Sequence, residues 1–115
     1  MDIRAIAARL DQFAVDRDWD QYHNPKNLAT AIACETGELL EVFQWLTPDE
    51  AARLTQGQRD AVRDELADIL LYVIRLADKV DIDMNEAVES KMELNDLRFP
   101  ADVVRGSAFK QSRQY

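Results

Sequence analysis

In one stretch of this chain an acid stands where a helix calls for a core residue. The apolar residues Leu28, Ile32, Leu39, Val42 and Leu46 form a seam, and Glu35 fills its missing position, giving steps of 4, 3, 4, 3 and 4. That spacing predicts a helix over 28–46 with one stripe turned towards a packed neighbour. A carboxylate on such a stripe is costly unless something meets it. Glu38 lies beside Glu35, on the stripe Ala31, Glu38, Val42, Trp45. A second helical stretch, 58–80, repeats the theme. There Ala61, Glu65, Asp68 and Tyr72 border the seam Val62, Leu66, Ile69, Val73, Leu76.

Residues three apart share a helix face, with Cβ atoms about 5–6 Å apart. Each pair, Glu35 with Glu38 and Glu65 with Asp68, can therefore point both carboxylates at one ion. None of the four has Lys, Arg or His three or four residues away, and no basic residue lies between Lys26 and Arg53. Four carboxylates from two packed helices make an oxygen-only donor set suited to Mg²⁺, with Mn²⁺ as the substitute. The plainer alternative puts all four on solvated faces of acidic helices, where Glu is common.

The remaining pattern is helical throughout. Asp2 is placed to cap a first helix to about Asp16, with Ile3, Ile6, Ala7, Leu10, Phe13 and Ala14 at helical spacing. Residues 17–23 break that period and read as a connector carrying Trp19, Tyr22 and the only His, His23. Asn24-Pro25 starts the second helix, which is expected to stop at Leu46. Thr47-Pro48-Asp49-Glu50 reads as a capping box opening a short helix to about Leu54. The third helix is the most apolar; its run 69–74 is expected to be buried nearly all round, and Asp81 ends it. Asp83, with Glu86 three residues on, caps a fourth helix to about Arg98, and Phe99-Pro100 stops it.

The expected fold is all-α: a four-helix-bundle-type domain over 1–100 with one short extra helix. A polar tail, 101–115, follows; it is mobile or ordered as a flap over the site. No strand pattern, repeat or second domain is visible. A chain of 115 residues has a modest core, so a homo-oligomer is expected.

Charge and composition exclude several classes. A formal charge of −8 opposes binding to polymeric nucleic acid or to an anionic membrane. It does not oppose a small phosphorylated substrate bridged by metal ions. The single Cys34 excludes an internal disulfide and fits a reducing cytoplasm. Residues 1–4 carry no apolar signal region, and no apolar run reaches membrane-spanning length, so a soluble cytoplasmic protein is expected. One Cys and one His cannot build a thiolate zinc site, and there is no Gly-rich phosphate loop. Di-iron bundles place His at the last position of E-x-x-H; here Glu38 and Asp68 stand there, which favours magnesium.

Two further sets of residues suit a nucleotide. Lys91, Asn95 and Arg98 share one face of the fourth helix and offer donors to a phosphate chain, although an ordinary exposed face is the plainer reading of that helix alone. Trp19, Tyr22, Trp45 and Tyr72 are able to stack on a base, although aromatics at helical spacing more often pack in a core. Trp45, on the same side as Glu38, is the best candidate wall.

Taken together, the stretches RDWDQYHNPKNL (17–28), ETGELLEVFQWL (35–46), DELADILLYVIRLA (64–77), SKMELNDLRFP (90–100) and RGSAFK (105–110) resemble the all-α nucleotide pyrophosphohydrolases of the MazG-like superfamily. The likeness is greatest to the dCTP pyrophosphatase branch. E-x-x-E alone is nonspecific; the ordered series E-x-x-E, E-x-x-D and K-x-x-x-N-x-x-R-F-P, behind the R-D-W block, is specific.

The resemblance implies Mg²⁺-dependent hydrolysis of a (deoxy)nucleoside triphosphate between the α- and β-phosphates, with a water oriented by a carboxylate as nucleophile. dCTP or a modified dCTP is the expected substrate, in a house-cleaning role. It also implies that Glu35, Glu38, Glu65 and Asp68 ligate the metal and that Lys91, Asn95 and Arg98 contact phosphates or sugar. Trp19, His23, Trp45 and Tyr72 would line the nucleoside pocket, in a dimer or tetramer. Many superfamily members carry an extra acid where this chain has Cys34; the dCTP branch often has a neutral residue there. Glu41 is a candidate for holding an outer water. The competing expectations are phosphoribosyl-ATP or dUTP as substrate, or a non-catalytic helical interaction module.

Overall fold

The structure, a computed structural model, describes residues 1–107. It is all-α, with no strand among the described residues. There are four long helices, α1 (Ile3–Asp16), α2 (Pro25–Phe43), α4 (Gln56–Lys79) and α5 (Met84–Arg98); a one-turn helix, α3 (Pro48–Ala51), lies between α2 and α4, and another, α6 (Ala101–Val104), follows α5. A 3-10 turn, Asp20–Tyr22, interrupts the link between α1 and α2.

The helix starts follow local chemistry. Asp2 Oδ1 accepts from the Ala5 N–H at 3.0 Å, and Asn24 Oδ1 accepts from the Asn27 N–H at 2.9 Å with Pro25 at the first turn. Thr47 and Glu50 form the expected reciprocal box. Thr55 and Gln58 form a second one that the sequence reading passed over, so α4 starts at Gln56 rather than Gln58. Asp83 Oδ1 accepts from the Glu86 N–H at 3.2 Å.

Some expectations at the ends need correction. α2 stops at Phe43, not Leu46, because Pro48 and the Thr47 cap open the next helix and the chain must turn first. α3 is a single turn ending at Ala51, well before Leu54. The stretch read as a polar tail opens with the one-turn α6, which Pro100 precedes as N-cap and which has Asp102 in its first turn. The flap expected of the tail's remainder, 108–115, lies outside the described residues.

The chain divides into a first unit, Met1–Ile82, and a second beginning at Asp83. In the first unit α2 packs along α4, and α1 packs on α4 as well. The protected positions of α2 include the seam residues Leu28, Ile32, Glu35, Leu39 and Val42, flanked by Ala31 and Phe43, with Leu28 only 1% exposed. Of the expected α4 seam, Val62, Ile69, Val73 and Leu76 are at least half-buried; Leu66 alone fails, at 54% exposed, and the neighbouring Glu65 is half-buried in its place. The run 69–74 is also not buried all round, because α1 and α2 leave one side of α4 uncovered; Leu70 and Leu71 are exposed. Among the described apolar residues only Ala14, Leu28, Ile74 and Ala77 are buried.

The link after α1 decides where its aromatics go. Asp18 adopts a left-handed φ of 54°, and the Trp19 N–H donates to the Ala14 carbonyl at 2.8 Å. This reversal sets Trp19 edge-on to Phe13, with ring centroids 5.8 Å apart. Arg17 covers the other part of the Phe13 ring at 3.6 Å.

Candidate functional site

Where α2 faces α4, Glu35, Glu38 and Glu65 each bring a carboxylate oxygen within 4.8 Å of the others. Glu35 and Glu65 are half-buried and Glu38 is exposed. In both Glu35 and Glu65, Oε2 is buried with no hydrogen-bond partner. Buried oxygens without donors are destabilising unless a proton or a cation meets them.

The protonation of the site follows from this crowding. Glu35 is pushed up from 4.5 to about 7, first by the hydrogen bond it shares with Glu65, then by burial and by the negative charges of Glu38 and Asp68. Two carboxylates cannot share a hydrogen bond unless one of them carries a proton, and that proton belongs to the pair. For Glu65 the bond to Glu35 acts downward, yet burial and the charges of Glu38 and Asp68 leave it raised. Tyr72 is raised by burial and then by Glu35, Asp68 and Glu38. The donor set is therefore hard, oxygen-only and over-rich in negative charge. Those properties fit a divalent cation such as Mg²⁺.

Beside the acids lies a cavity of about 640 Å³. Glu35, Asp68 and Tyr72 line it, as do Trp19 and His23 from the link and Ile6, Leu10 and Phe13 from α1. Arg9 and Arg75 are its cations. A volume of this order suits a small organic ligand. Aromatic rings and acids thus share its lining.

The residues singled out in the sequence are distributed unevenly. Asp68 is outside the close triangle of glutamates but shares the cavity with Glu35. Trp45 lies beyond the end of α2, 85% exposed and not lining the cavity. The stripe that placed it with Glu38 assumed helix through Leu46, and that register ends at Phe43. Tyr22 does not line the cavity either. Lys91, Asn95 and Arg98 are on α5 in the second unit, with Arg98 half-buried and the other two exposed.

The sequence reading missed Arg75 and the α1 wall of Ile6, Leu10 and Phe13. Arg75 had a visible signal. It is a cation inside the most apolar run of the chain, and a buried cation must be paired. The α1 residues had none, since they were expected to be ordinary core.

Comparison with known proteins points the same way. The MazG-like family matches residues 30–106. The chain is 43% identical over 113 residues to dCTP pyrophosphatase 1 of Homo sapiens, and 42% identical over 111 residues to that of Mus musculus. Each alignment covers 95% of this chain and 64% of the relative, so the chain spans less than two thirds of the length of these curated relatives. The crystal structure of a pyrophosphatase from Archaeoglobus fulgidus DSM 4304 superposes with a TM-score of 0.80 at 39% identity, covering 87% of this chain and 94% of that one.

Proposed function

This chain belongs to the MazG-like family, and from that premise we propose that it hydrolyses a (deoxy)nucleoside triphosphate to the monophosphate and pyrophosphate. dCTP or a modified dCTP is the substrate we propose, following the relatives named dCTP pyrophosphatase. The role is that of a cytoplasmic house-cleaning enzyme acting on the nucleotide pool. The observation that carries the reading is the knot of Glu35, Glu38 and Glu65, with two donorless buried oxygens, opening on a cavity walled by Trp19 and Tyr72.

The mechanism follows from charge. A triphosphate and a cluster of acids repel one another, so neither can approach bare. In this reading Glu35, Glu38, Glu65 and Asp68 hold Mg²⁺, which when bound neutralises that repulsion and polarises the phosphate. A carboxylate ligand must be ionised, so any proton held by the Glu35–Glu65 pair would have to leave for both to serve as ligands. One carboxylate of the cluster accepts a proton from the attacking water and aims it at the α-phosphorus. Trp19 and Tyr72 stack on the base, His23 reads its edge, and the apolar α1 residues help exclude water from the cavity. Lys91, Asn95 and Arg98 are the proposed phosphate and sugar contacts, and Glu41 a candidate to hold an outer water.

We also propose a homo-oligomer, a dimer or tetramer. Leu40, Leu66 and Leu70 are exposed in the first unit, and Val88, Met92 and Leu97 of α5 are exposed in the second. Apolar surface on this scale calls for a partner copy, and Trp45 belongs to the same exposed set.

Steady-state kinetics on dCTP, dTTP, dUTP and dATP with Mg²⁺ test the reading. Pyrophosphate release with the highest kcat/KM on dCTP is expected. Turnover of none of them would leave the non-catalytic helical module as the better account.

A further inference from the structure

Arg75 is the buried charged residue of the described chain, 2% exposed on α4 one turn beyond Tyr72. Its guanidinium reaches two other segments. Nη1 donates to Asp11 Oδ1 of α1 at 2.9 Å, and Nη2 donates to Asp20 Oδ1 in the 3-10 turn at 2.8 Å. Lys79 Nζ also donates to Asp20 Oδ1, at 2.6 Å. The third arm is different: Arg75 Nε donates to His23 Nδ1 at 3.3 Å.

A guanidinium has five N–H donors and no acceptor, and it keeps its proton at all ordinary pH. Nδ1 of His23 must therefore be the bare nitrogen, and the ring proton must sit on Nε2. A charged imidazolium would set N–H against N–H. We propose that Arg75 is a positioning residue that holds His23 as the neutral Nε2–H tautomer, a fixed hydrogen-bond donor in the cavity beside Trp19 and Tyr72. The proposal rests on the reading of that cavity as a nucleoside pocket. Burial, and then the Arg75 charge, hold His23 below its ordinary titration range despite the opposing pull of Asp20, in keeping with a neutral ring.

A fixed donor sorts bases by what they present to it. A ring nitrogen with a free lone pair, as in cytosine, accepts from it. The same nitrogen bearing hydrogen, as in uracil, meets it donor to donor and leaves both unsatisfied. A mobile histidine would swap tautomers and accept from the second base as readily as it donates to the first. Arg75 removes that freedom. The bland alternative is a clip that only ties α1, the turn and α4 together.

His23 is the sole histidine, so untagged ¹⁵N-labelled protein gives one set of imidazole signals. Long-range ¹H–¹⁵N spectra of the wild type at neutral pH should show Nε2 bearing hydrogen and Nδ1 bare. An Nδ1–H ring or a tautomer mixture in the wild type overturns the proposal, even if no variant folds. In Arg75→Met the two nitrogens should average towards one another. The kcat/KM preference for dCTP over dUTP should fall by about tenfold, the scale of one hydrogen bond. Adding His23→Ala to Arg75→Met should change that preference no further. A lowered Tm with the imidazole signals and the preference unchanged would make Arg75 a clip only and sink the proposal. Loss of the Nε2–H signature in Arg75→Met, with no nucleotide perturbing His23 in either protein, would support the positioning and refute the nucleoside pocket.

Discussion

Glu35 holds its proton to a higher pH than an exposed glutamate, pushed up from 4.5 to about 7. Its position near 7 means the folded, metal-free chain binds more protons than the unfolded chain between its ordinary 4.5 and that value. The sign follows: this contribution to stability is full below about 4.5 and is lost as pH rises through about 7. The Tm of protein kept in EDTA should therefore fall between about pH 5 and 8. Glu35→Gln, which cannot ionise, should flatten that fall, and so should added Mg²⁺. Melting curves across this range check it, and parallel slopes for wild type and Glu35→Gln would contradict it. Glu35 was legible in the sequence because an acid broke an apolar seam. The Arg75 cluster was not, because its partners Asp11, Asp20 and His23 stand 52 to 64 residues away, and only folding brings them to it.

At the scale of elements, starts were more legible than ends. Asp2, Asn24, Thr47 and Asp83 each cap a helix at the place their side-chain chemistry indicated, since capping is decided within three residues. The end of α2 was set by competition with the next cap, and the shift from Leu46 to Phe43 was enough to carry Trp45 off its stripe. In α4 the seam held at Val62, Ile69, Val73 and Leu76, and only Leu66 gave up its place to Glu65. The link between α1 and α2 resisted reading because its shape rests on Asp18 in a left-handed conformation, which Asp tolerates better than most residues. Asp18→Val should therefore lower stability by about 1–2 kcal/mol, the cost of a side chain in that region. Urea denaturation measures it, and loss of the Phe13–Trp19 contact should appear as a changed Trp19 fluorescence. An unchanged midpoint would remove the turn from the account of how Trp19 is placed.

On the scale of the whole molecule, the all-α class followed from helical spacing and few Gly or Pro, and the fold carries it through. How the chain hides its apolar surface was legible only as a modest core. The described chain buries just four apolar side chains fully and leaves leucines exposed on α2, α4 and α5. Light scattering at micromolar concentration should accordingly report a dimer or tetramer; a monomer would contradict the proposed assembly. The central claim is that the acid knot on α2 and α4 splits a nucleoside triphosphate with the help of a divalent cation. Phosphorus NMR of dCTP incubated with the protein tests it most directly, in Mg²⁺, in excess EDTA, and in Mg²⁺ with Glu38→Ala. The account predicts dCMP and pyrophosphate in the first sample and intact dCTP in the other two. Release of dCDP with orthophosphate, or an undiminished rate in EDTA, would contradict it.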